Sequence, residues 1–258
     1  MRQRIGAVVD HGSAVISLLG GLALWEVLGR ALAFPFLPPL SAVLRRLVEL
    51  LVQGDLVDAL VTSLLNLAIA LGISIVLGLA VGLAMGASWR IQAAIGGFVN
   101  AMLTAPTLVF APIYFSVFGL SRWAIVTLIV HYSVFLIIVT AADAVRAPPR
   151  DLMEMASSFN ATGWMRFRRV ALPAAVPLLM AGVRLGAGRA VKGMINGEMF
   201  IAVVGVGAVI QGAARQFDAT TILAVVLLTV VVAIALQQVV ITMDRLLTGW
   251  LPPTQRTM

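Results

Sequence analysis

The chain has 258 residues, of which 61% are hydrophobic and only 11% are charged. A soluble domain is about 45–50% apolar and about 25% charged, so this composition predicts an integral membrane protein. The net charge of +7 would suggest a nucleic-acid partner in a soluble protein, but here it bears on membrane topology, and we expect no nucleic acid. The chain has no Cys, which excludes disulfides and thiolate metal sites, and only two His residues, which excludes a His-rich metal site. Its single Lys does not stand in the sequence pattern of a nucleotide-binding P-loop. No catalytic or metal-binding residue is therefore expected.

Long uncharged stretches predict an all-α membrane protein with six spanning helices. A span needs roughly 20 apolar residues to cross ~30 Å of hydrocarbon, and a helix satisfies its own backbone hydrogen bonds there. We take residues 1–258 as a single membrane domain. The expected spans are about 13–33, 63–87, 97–119, 123–142, 178–203 and 219–243.

The first predicted span carries two charged residues, Glu26 and Arg30, which we expect to pair with each other. The same stretch has features of a cleaved secretion signal: Arg2 and Arg4 precede an apolar run that ends in Ala-Leu-Ala at 31–33. Charges immediately before a cleavage site are unusual, so the sequence favours retention of this segment as a span.

The distribution of arginine predicts that both termini face the cytoplasm. Ten Arg residues fall in the segments on the N-terminal side of the membrane, against four or five on the other side. Residues 34–62 then form the longest outer connection, in which helical spacing predicts a surface helix over 41–52. Residues 143–173 form the main cytoplasmic loop.

The third and fourth spans contain residues that are unusual inside a membrane. Pro106 and Pro112 should kink or locally open the third span. His131 and Tyr132 lie near the middle of the fourth span. We expect both to be buried and hydrogen-bonded, with contact to a transported solute as the alternative.

The cytoplasmic loop at 143–173 is predicted to form two short helices. Two prolines at 148–149 suit the first turn of a helix over about 149–159, and acidic residues favour its N-terminal end. Asn160 tolerates the left-handed conformation, and Thr162 can cap the second helix. Taken alone, a basic amphipathic loop of this kind is equally typical of a segment that rests on anionic lipid headgroups.

The fifth span carries charges that lipid would tolerate poorly, Arg184, Arg189, Lys192 and Glu198. At about 100° per residue, all except Arg189 fall within about 120° of the helix surface. Two interpretations remain open: an internal set of ion pairs that holds the span to its neighbours, or a polar translocation path. The excess of cations would favour an anionic solute.

The loop also resembles the Glu-Ala-Ala loop of bacterial ABC importer permeases. Glu154-Met155-Ala156 is followed at that family's intervals by Asn160, Val170 and Leu172-Pro173. Asn160 stands where the family has Gly, and Met155 replaces a variable Ala. Similarity extends over about residues 20–245 and is nearest to the nitrate, sulfonate and taurine branch. The stretches that carry it are 37–43, 105–106, 111–112, 167–177, 181–185, 188–190 and Glu198.

This resemblance implies a type I ABC importer permease fold in the bacterial inner membrane, with the loop as the coupling element to a cytoplasmic ATPase. A small Ala156 would let the coupling helix seat in its partner, and Glu154 would be held by donors of its own loop or of the partner. The implied coupling residues are Glu154, Met155, Ala156, Asn160, Gly163, Val170, Leu172 and Pro173.

The partners implied by the resemblance are a second permease subunit, expected to be identical, two ATPase subunits and an external substrate-binding protein. ATP and Mg²⁺ would bind to the ATPase, and no cofactor is expected in this chain. The expected solute is small and anionic or polar, such as nitrate, a sulfonate, taurine, or a vitamin or pyrimidine precursor. A transporter or channel driven by an ion gradient is the alternative, and it explains the spans and charges but not the loop pattern.

Overall fold

The computed structural model describes residues 2–32, 34–146, 150–201 and 203–249, with side chains from residue 16 onward except that of Arg150. The described part is almost entirely helical and contains no strand. The helices are α1 (Arg2–Leu32), α2 (Leu40–Gln53), α3 (Asp55–Ala87), α4 (Trp89–Thr104), α5 (Ala111–Phe118), α6 (Arg122–Arg146), α7 (Arg150–Ser158), α8 (Gly163–Arg166), α9 (Leu172–Ile201), α10 (Gly205–Arg215) and α11 (Ala219–Leu247).

Four helical stretches are long and apolar enough to cross a membrane. They are α3, α6, α11 and the stretch Gly163–Ile201, in which a π-helical segment (Phe167–Ala171) joins α8 to α9 without a break. The pair formed by α4 and Thr107–Phe118 is a fifth candidate, bent by 100°. The first predicted span falls on α1 up to Leu32, while residue 33 lies outside the described residues, and the total of six spans stays a prediction.

The third predicted span is opened at Pro106, which confirms one of the two expected effects of its prolines. α4 ends at Thr104, Pro106 follows in extended conformation, and a 3₁₀ turn (Thr107–Phe110) leads into α5. Pro106 cannot continue a helix, because its ring clashes with the preceding turn and it lacks an N–H. Pro112 causes no second kink, since it lies in the first turn of α5, where an N–H has no intrahelical partner.

The connection predicted to lie outside the membrane contains a helix that is tied to its neighbours. The surface helix predicted over 41–52 is confirmed as α2, and the predicted pair of Glu26 and Arg30 is confirmed at 2.5 Å. Glu26 also accepts a hydrogen bond from the backbone N–H of Ser41 (2.9 Å), which joins α1 to the start of α2. Arg46 donates to the Thr221 hydroxyl (2.8 Å) and so joins α2 to α11.

The centre of the structure is a close packing of α3, α6 and α9. Gly78, Gly82 and Gly86 recur every four residues on the face of α3 that meets α6. A Cβ added at Gly82 would lie 2.6 Å from the carbonyl oxygen of Ile138 and from the Cβ of Ala141. Stripes of small residues of this kind let helix backbones approach closely inside a membrane.

Candidate functional site

The connection from α6 to α9 folds largely as predicted. Its residues 150–173, which include the first residues of α9, are called the 150–173 segment below. The predicted first helix is α7, while Pro148 and Pro149 lie outside the described residues. Asn160 has a φ of 53°, which confirms the expected left-handed turn. The Thr162 hydroxyl accepts a hydrogen bond from the Met165 N–H (3.3 Å), which confirms it as the cap of α8.

The 150–173 segment is braced by its own contacts. The backbone N–H of Ala161 donates to the Ala156 carbonyl (3.1 Å). Arg166 donates to the Ser157 hydroxyl (3.3 Å), which holds α7 beside α8. Because the helix continues from Gly163 through the π-helical segment into α9, α8 and the fifth span form one continuous element directly after the turn.

Ala156 does not lie where the resemblance suggested, whereas the exposed Glu154 stays available to donors of a partner. Ala156 is only 7% exposed, so its side chain is covered by this chain rather than presented to a partner. Glu154 is exposed, and within the described residues its side chain makes no hydrogen bond or ion pair. Their sequence spacing is helical, but spacing alone does not say which face of a helix its own chain covers.

An apolar stripe covers the exposed face of α7 and the turn after it. Leu152, Met155 and Phe159 follow at intervals of three and four residues, and all three are exposed, Phe159 to 80%. Such intervals place side chains on one face of a helix. An exposed apolar face on a short helix is typical of a surface that another protein or a membrane covers.

The remaining predicted coupling residues divide between the surface and the junction with α9. Asn160 and Gly163 are exposed at the turn. Val170, Leu172 and Pro173 are half-buried, and Leu172 packs against the core cluster that α6 and α9 share. α9 begins at Leu172 rather than at residue 178, so the fifth span starts directly from the π-helical segment.

The left-handed turn gives the first testable prediction. Asn160→Gly should leave the thermal stability of the purified protein unchanged, because Gly adopts this conformation readily. Asn160→Val should cost about 1–2 kcal/mol, the penalty for a left-handed residue with a branched side chain. Limited proteolysis of the 150–173 segment would then speed up in the Val variant only. Equal proteolysis of both variants would contradict the prediction.

The charges of the fifth span do not form the predicted set of ion pairs. Glu198 is 0% exposed, while Arg189 and Lys192 are exposed and Arg184 is half-buried. None of the four forms an ion pair within the described residues, so the ion-pair interpretation is wrong for this chain taken alone. The predicted angles of these residues around the helix axis are compatible with the structure. However, α3 and α10 cover only the face of α9 that carries Glu198.

Glu198 is instead the centre of a buried hydrogen-bonded cluster. Its Oε2 accepts from the Ser63 hydroxyl (2.7 Å) and from the Gly207 N–H (3.1 Å). The Ser63 hydroxyl in turn accepts from the Val206 N–H (2.9 Å). These bonds tie α3, α9 and the N-terminus of α10 together, and the positive end of α10 favours a carboxylate at this position. Ser63, Asn66, Glu198 and residues 205–207 are called the Glu198 cluster below.

The glycines of this cluster are the signal that the sequence analysis missed. Gly205 has a φ of 77°, which a residue with a side chain rarely adopts. A Cβ at either Gly205 or Gly207 would overlap Glu198. Two glycines spaced by one residue, shortly after a charged residue in an apolar helix, therefore indicate a chain that folds back onto that charge. The sequence analysis also did not predict α10, which these glycines begin.

His131 and Tyr132 are each hydrogen-bonded, as predicted, but toward different helices, and Tyr132 is half-buried rather than buried. His131 is buried, and its Nδ1 lies 2.5 Å from the Tyr114 hydroxyl on α5. The Phe110 and Phe135 rings lie 4.8 and 5.1 Å from its imidazole. The Tyr132 hydroxyl accepts from Asn196 on α9 (2.9 Å). The structure therefore does not combine them with Arg184, Arg189, Lys192 and Glu198 into one polar path.

Comparison with known proteins identifies the family. Residues 74–250 match the binding-protein-dependent transport system inner membrane component family. The riboflavin transport system permease protein RibX of Chloroflexus aurantiacus is 29% identical over 62% of this chain and 60% of its own length. The formylaminopyrimidine transport permease protein ThiX of Halalkalibacterium halodurans is 30% identical over 50% of this chain and 52% of its own.

The similarity extends over most of the chain in another relative. The putative aliphatic sulfonates transport permease protein SsuC of Bacillus subtilis is 27% identical over 89% of this chain and 84% of its own length. With the riboflavin and formylaminopyrimidine permeases, the alignment spans only about half to three-fifths of the relative's length. The family match covers more than half of this chain and includes the 150–173 segment. It also includes the Glu198 cluster, apart from the members of that cluster on α3, which precede residue 74. The chain is therefore a multi-pass membrane protein that belongs to the binding-protein-dependent inner membrane components, the permeases of ABC importers.

Proposed function

We propose that this chain is the membrane-spanning subunit of an ATP-driven importer of a small solute, in which the 150–173 segment receives force from a separate ATPase. The observation that carries the proposal is the exposed apolar stripe on α7, at the end of a braced segment that continues into α9. The sequence contains no P-loop of its own, so energy from ATP has to arrive through a contact with another protein. A rigid helical element with an unpartnered apolar face suits such a contact.

The structure suggests how movement would pass through the chain. A partner that covers the stripe would displace α7 and α8 together, because Arg166 and Ser157 join them. α9 would follow, since the helix runs unbroken from Gly163 to Ile201. Glu198 lies near the far end of α9 and binds the start of α10. Displacement of the 150–173 segment would therefore change the position of α10 on the opposite side of the membrane.

The rest of the assembly follows from the family. We propose an importer with two copies of this permease, two ATPase subunits that bind ATP and Mg²⁺, and an external substrate-binding protein. Both termini and the 150–173 segment face the cytoplasm in this arrangement, as the arginine distribution predicts. The fold would then be that of a type I ABC importer permease with α7 as its coupling helix.

The solute is proposed to be small and anionic or polar. The relatives are named for sulfonates, riboflavin and formylaminopyrimidine. Arg184, Arg189 and Lys192 carry positive charge on a spanning helix, and within the described residues no carboxylate neutralises it. Uncompensated cations in a span favour a path or partner that brings negative charge.

The proposal is tested by placing a charge on the stripe. Met155→Glu combined with Phe159→Glu should leave the permease folded, because both side chains are exposed. It should weaken retention of the ATPase at least about tenfold, since burying an unpaired charge at an interface costs more than ~1.4 kcal/mol. ATP-dependent uptake should be lost with it. Co-purification of the ATPase and uptake into proteoliposomes measure the two effects.

A matched control makes the same chemical change elsewhere. Val52 lies on α2 and is 81% exposed, so Val52→Glu also places a carboxylate on an exposed apolar position. ATPase retention and uptake should stay at the level of the unmodified protein in this variant. Undiminished ATPase retention in the double variant would refute the docking role of α7, and uptake driven by an ion gradient without ATP would refute the importer.

A further inference from the structure

A cavity of about 520 Å³ lies between the 150–173 segment and the ends of α3 and α6. Its walls are apolar except for one guanidinium group. The residues that matter here are Gly86, Ala87, Val145, Trp164, Arg166 and Phe167. The proposed ATPase contact uses the apolar stripe, and the Glu198 cluster lies elsewhere, so the interior of this cavity has no role so far, although Arg166 in its wall also joins α8 to α7.

The charge beside the cavity is not neutralised by the chain. Within the described residues, the Arg166 side chain hydrogen-bonds to the neutral Ser157 hydroxyl, at 3.3 Å, and forms no ion pair. Among the residues that line the cavity, Arg166 carries the one charge. The result is an apolar cavity with one uncompensated cation in its wall.

The position of the cavity matches the surface of the membrane. Ala87 is the last residue of α3, and Val145 is next to the last residue of α6, so the cavity lies where two spans end. Trp164 is 68% exposed and stacks on Phe167 with 5.8 Å between the ring centroids. Aromatic and basic residues together are typical of the boundary between hydrocarbon and headgroups.

We infer that this cavity binds an anionic phospholipid, with an acyl chain inside it and the phosphate on Arg166. A free anion would use Arg166 but leave the apolar walls unoccupied, and a neutral apolar molecule would use the walls but leave Arg166 without a charged partner. An anionic lipid satisfies both. Its location rests on the proposed orientation, which places the cavity at the cytoplasmic leaflet, where anionic lipids concentrate.

Native mass spectrometry of the full-length permease, without ATPase or ATP, tests the inference. The probes are phosphatidylglycerol and phosphatidylcholine with the same acyl chains, and inorganic phosphate as a competitor. Phosphatidylglycerol should be retained in preference to phosphatidylcholine, and equimolar phosphate should not displace it. Arg166→Gln should weaken retention about fivefold, the factor that one arginine supplies near an anionic surface.

Two further variants separate the cavity from general charge. Ala87→Phe fills the cavity and keeps every charge, and it should remove the retained lipid. Arg245→Gln removes an exposed cation in the last turn of α11, away from the cavity, and it should bind lipid like the unmodified protein. These variants still decide the matter if Arg166→Gln fails to fold.

Several results would overturn the inference. Equal retention of phosphatidylcholine would mean that charge plays no part, and displacement by phosphate would reveal a simple anion site. Unchanged retention in a folded Ala87→Phe variant would place the lipid elsewhere, and loss of lipid when the ATPase binds would assign the cavity to the ATPase. Because the binding measurement uses no ATP, its failure leaves the proposed import function untouched.

Discussion

Glu198→Ala is expected to prevent stable folding of the permease, because it removes the acceptor on which three helices meet. The Gly207 N–H would lose its buried partner, whereas the Ser63 hydroxyl can still donate to the Ala59 carbonyl (3.0 Å). An orphaned buried donor costs ~1–3 kcal/mol before the cavity left by the side chain is counted. That is a large share of the stability of a typical domain.

Glu198→Gln distinguishes a structural carboxylate from one that contacts solute. The amide keeps an oxygen that can accept from Ser63 and Gly207, and it loses only the additional strength of a charged acceptor. We expect the Gln variant to accumulate and to melt at an intermediate temperature in detergent. Arg189→Ala, an exposed change on the same helix, should melt like the unmodified protein.

The measurements are accumulation in the membrane, thermal melting of the detergent-solubilised protein and solute uptake. If Glu198 acts structurally, uptake in the Gln variant should follow the amount of folded protein. Normal amounts of stable Gln variant with no uptake would instead assign Glu198 to the translocation path. Normal melting of Glu198→Ala would show that the cluster does not hold α10.

Gly82→Val should prevent α3 from packing against α6. The new Cβ alone would lie 2.6 Å from the Ile138 carbonyl oxygen, which belongs to the backbone and cannot rotate away. Overpacking typically costs ~1–3 kcal/mol when side chains can adjust, and the cost is greater when two helix axes must separate. We expect this variant to fail to accumulate in the membrane.

α3 offers a matched control for that substitution. A Cβ at Gly72, on the same helix, would meet nothing within 4 Å. Gly72→Val makes the same change in helix propensity and apolar surface, so it should accumulate and melt like the unmodified protein. Equal loss in both variants would mean that valine harms α3 itself, and equal stability would mean that the close approach of α3 and α6 is not required.

Local signals allowed much of the fold to be predicted from the sequence. Gaps between charges located the spans, and the cap at Thr162 and the left-handed Asn160 located the turn of the 150–173 segment. These features depend on residues within one or two helical turns. The contacts of Glu198 could not be predicted in this way, because its partner Ser63 is 135 residues distant along the chain.

The faces of the helices were harder to predict than their positions. Periodicity placed Glu154, Met155 and Ala156 on a helix but did not tell which face the chain itself covers, and Ala156 proved to be buried. The same limit applied to the fifth span. The angles of Arg184, Lys192 and Glu198 were compatible with ion pairs, whereas the packing of α3 and α10 separates a buried carboxylate from exposed cations.

The bend after α4 has an electrostatic consequence. At ~1.5 Å per residue, the 16 residues of α4 extend about 24 Å and the eight of α5 about 12 Å, so neither helix alone crosses ~30 Å of hydrocarbon. Because the two directions differ by 100°, both cannot run along the membrane normal. Backbone that leaves the helix at this depth requires protein or water around it. Where that surrounding is water, the low-dielectric layer beside the bend is thinner than across the other spans, and a charged solute there would have a shorter distance over which to give up its hydration.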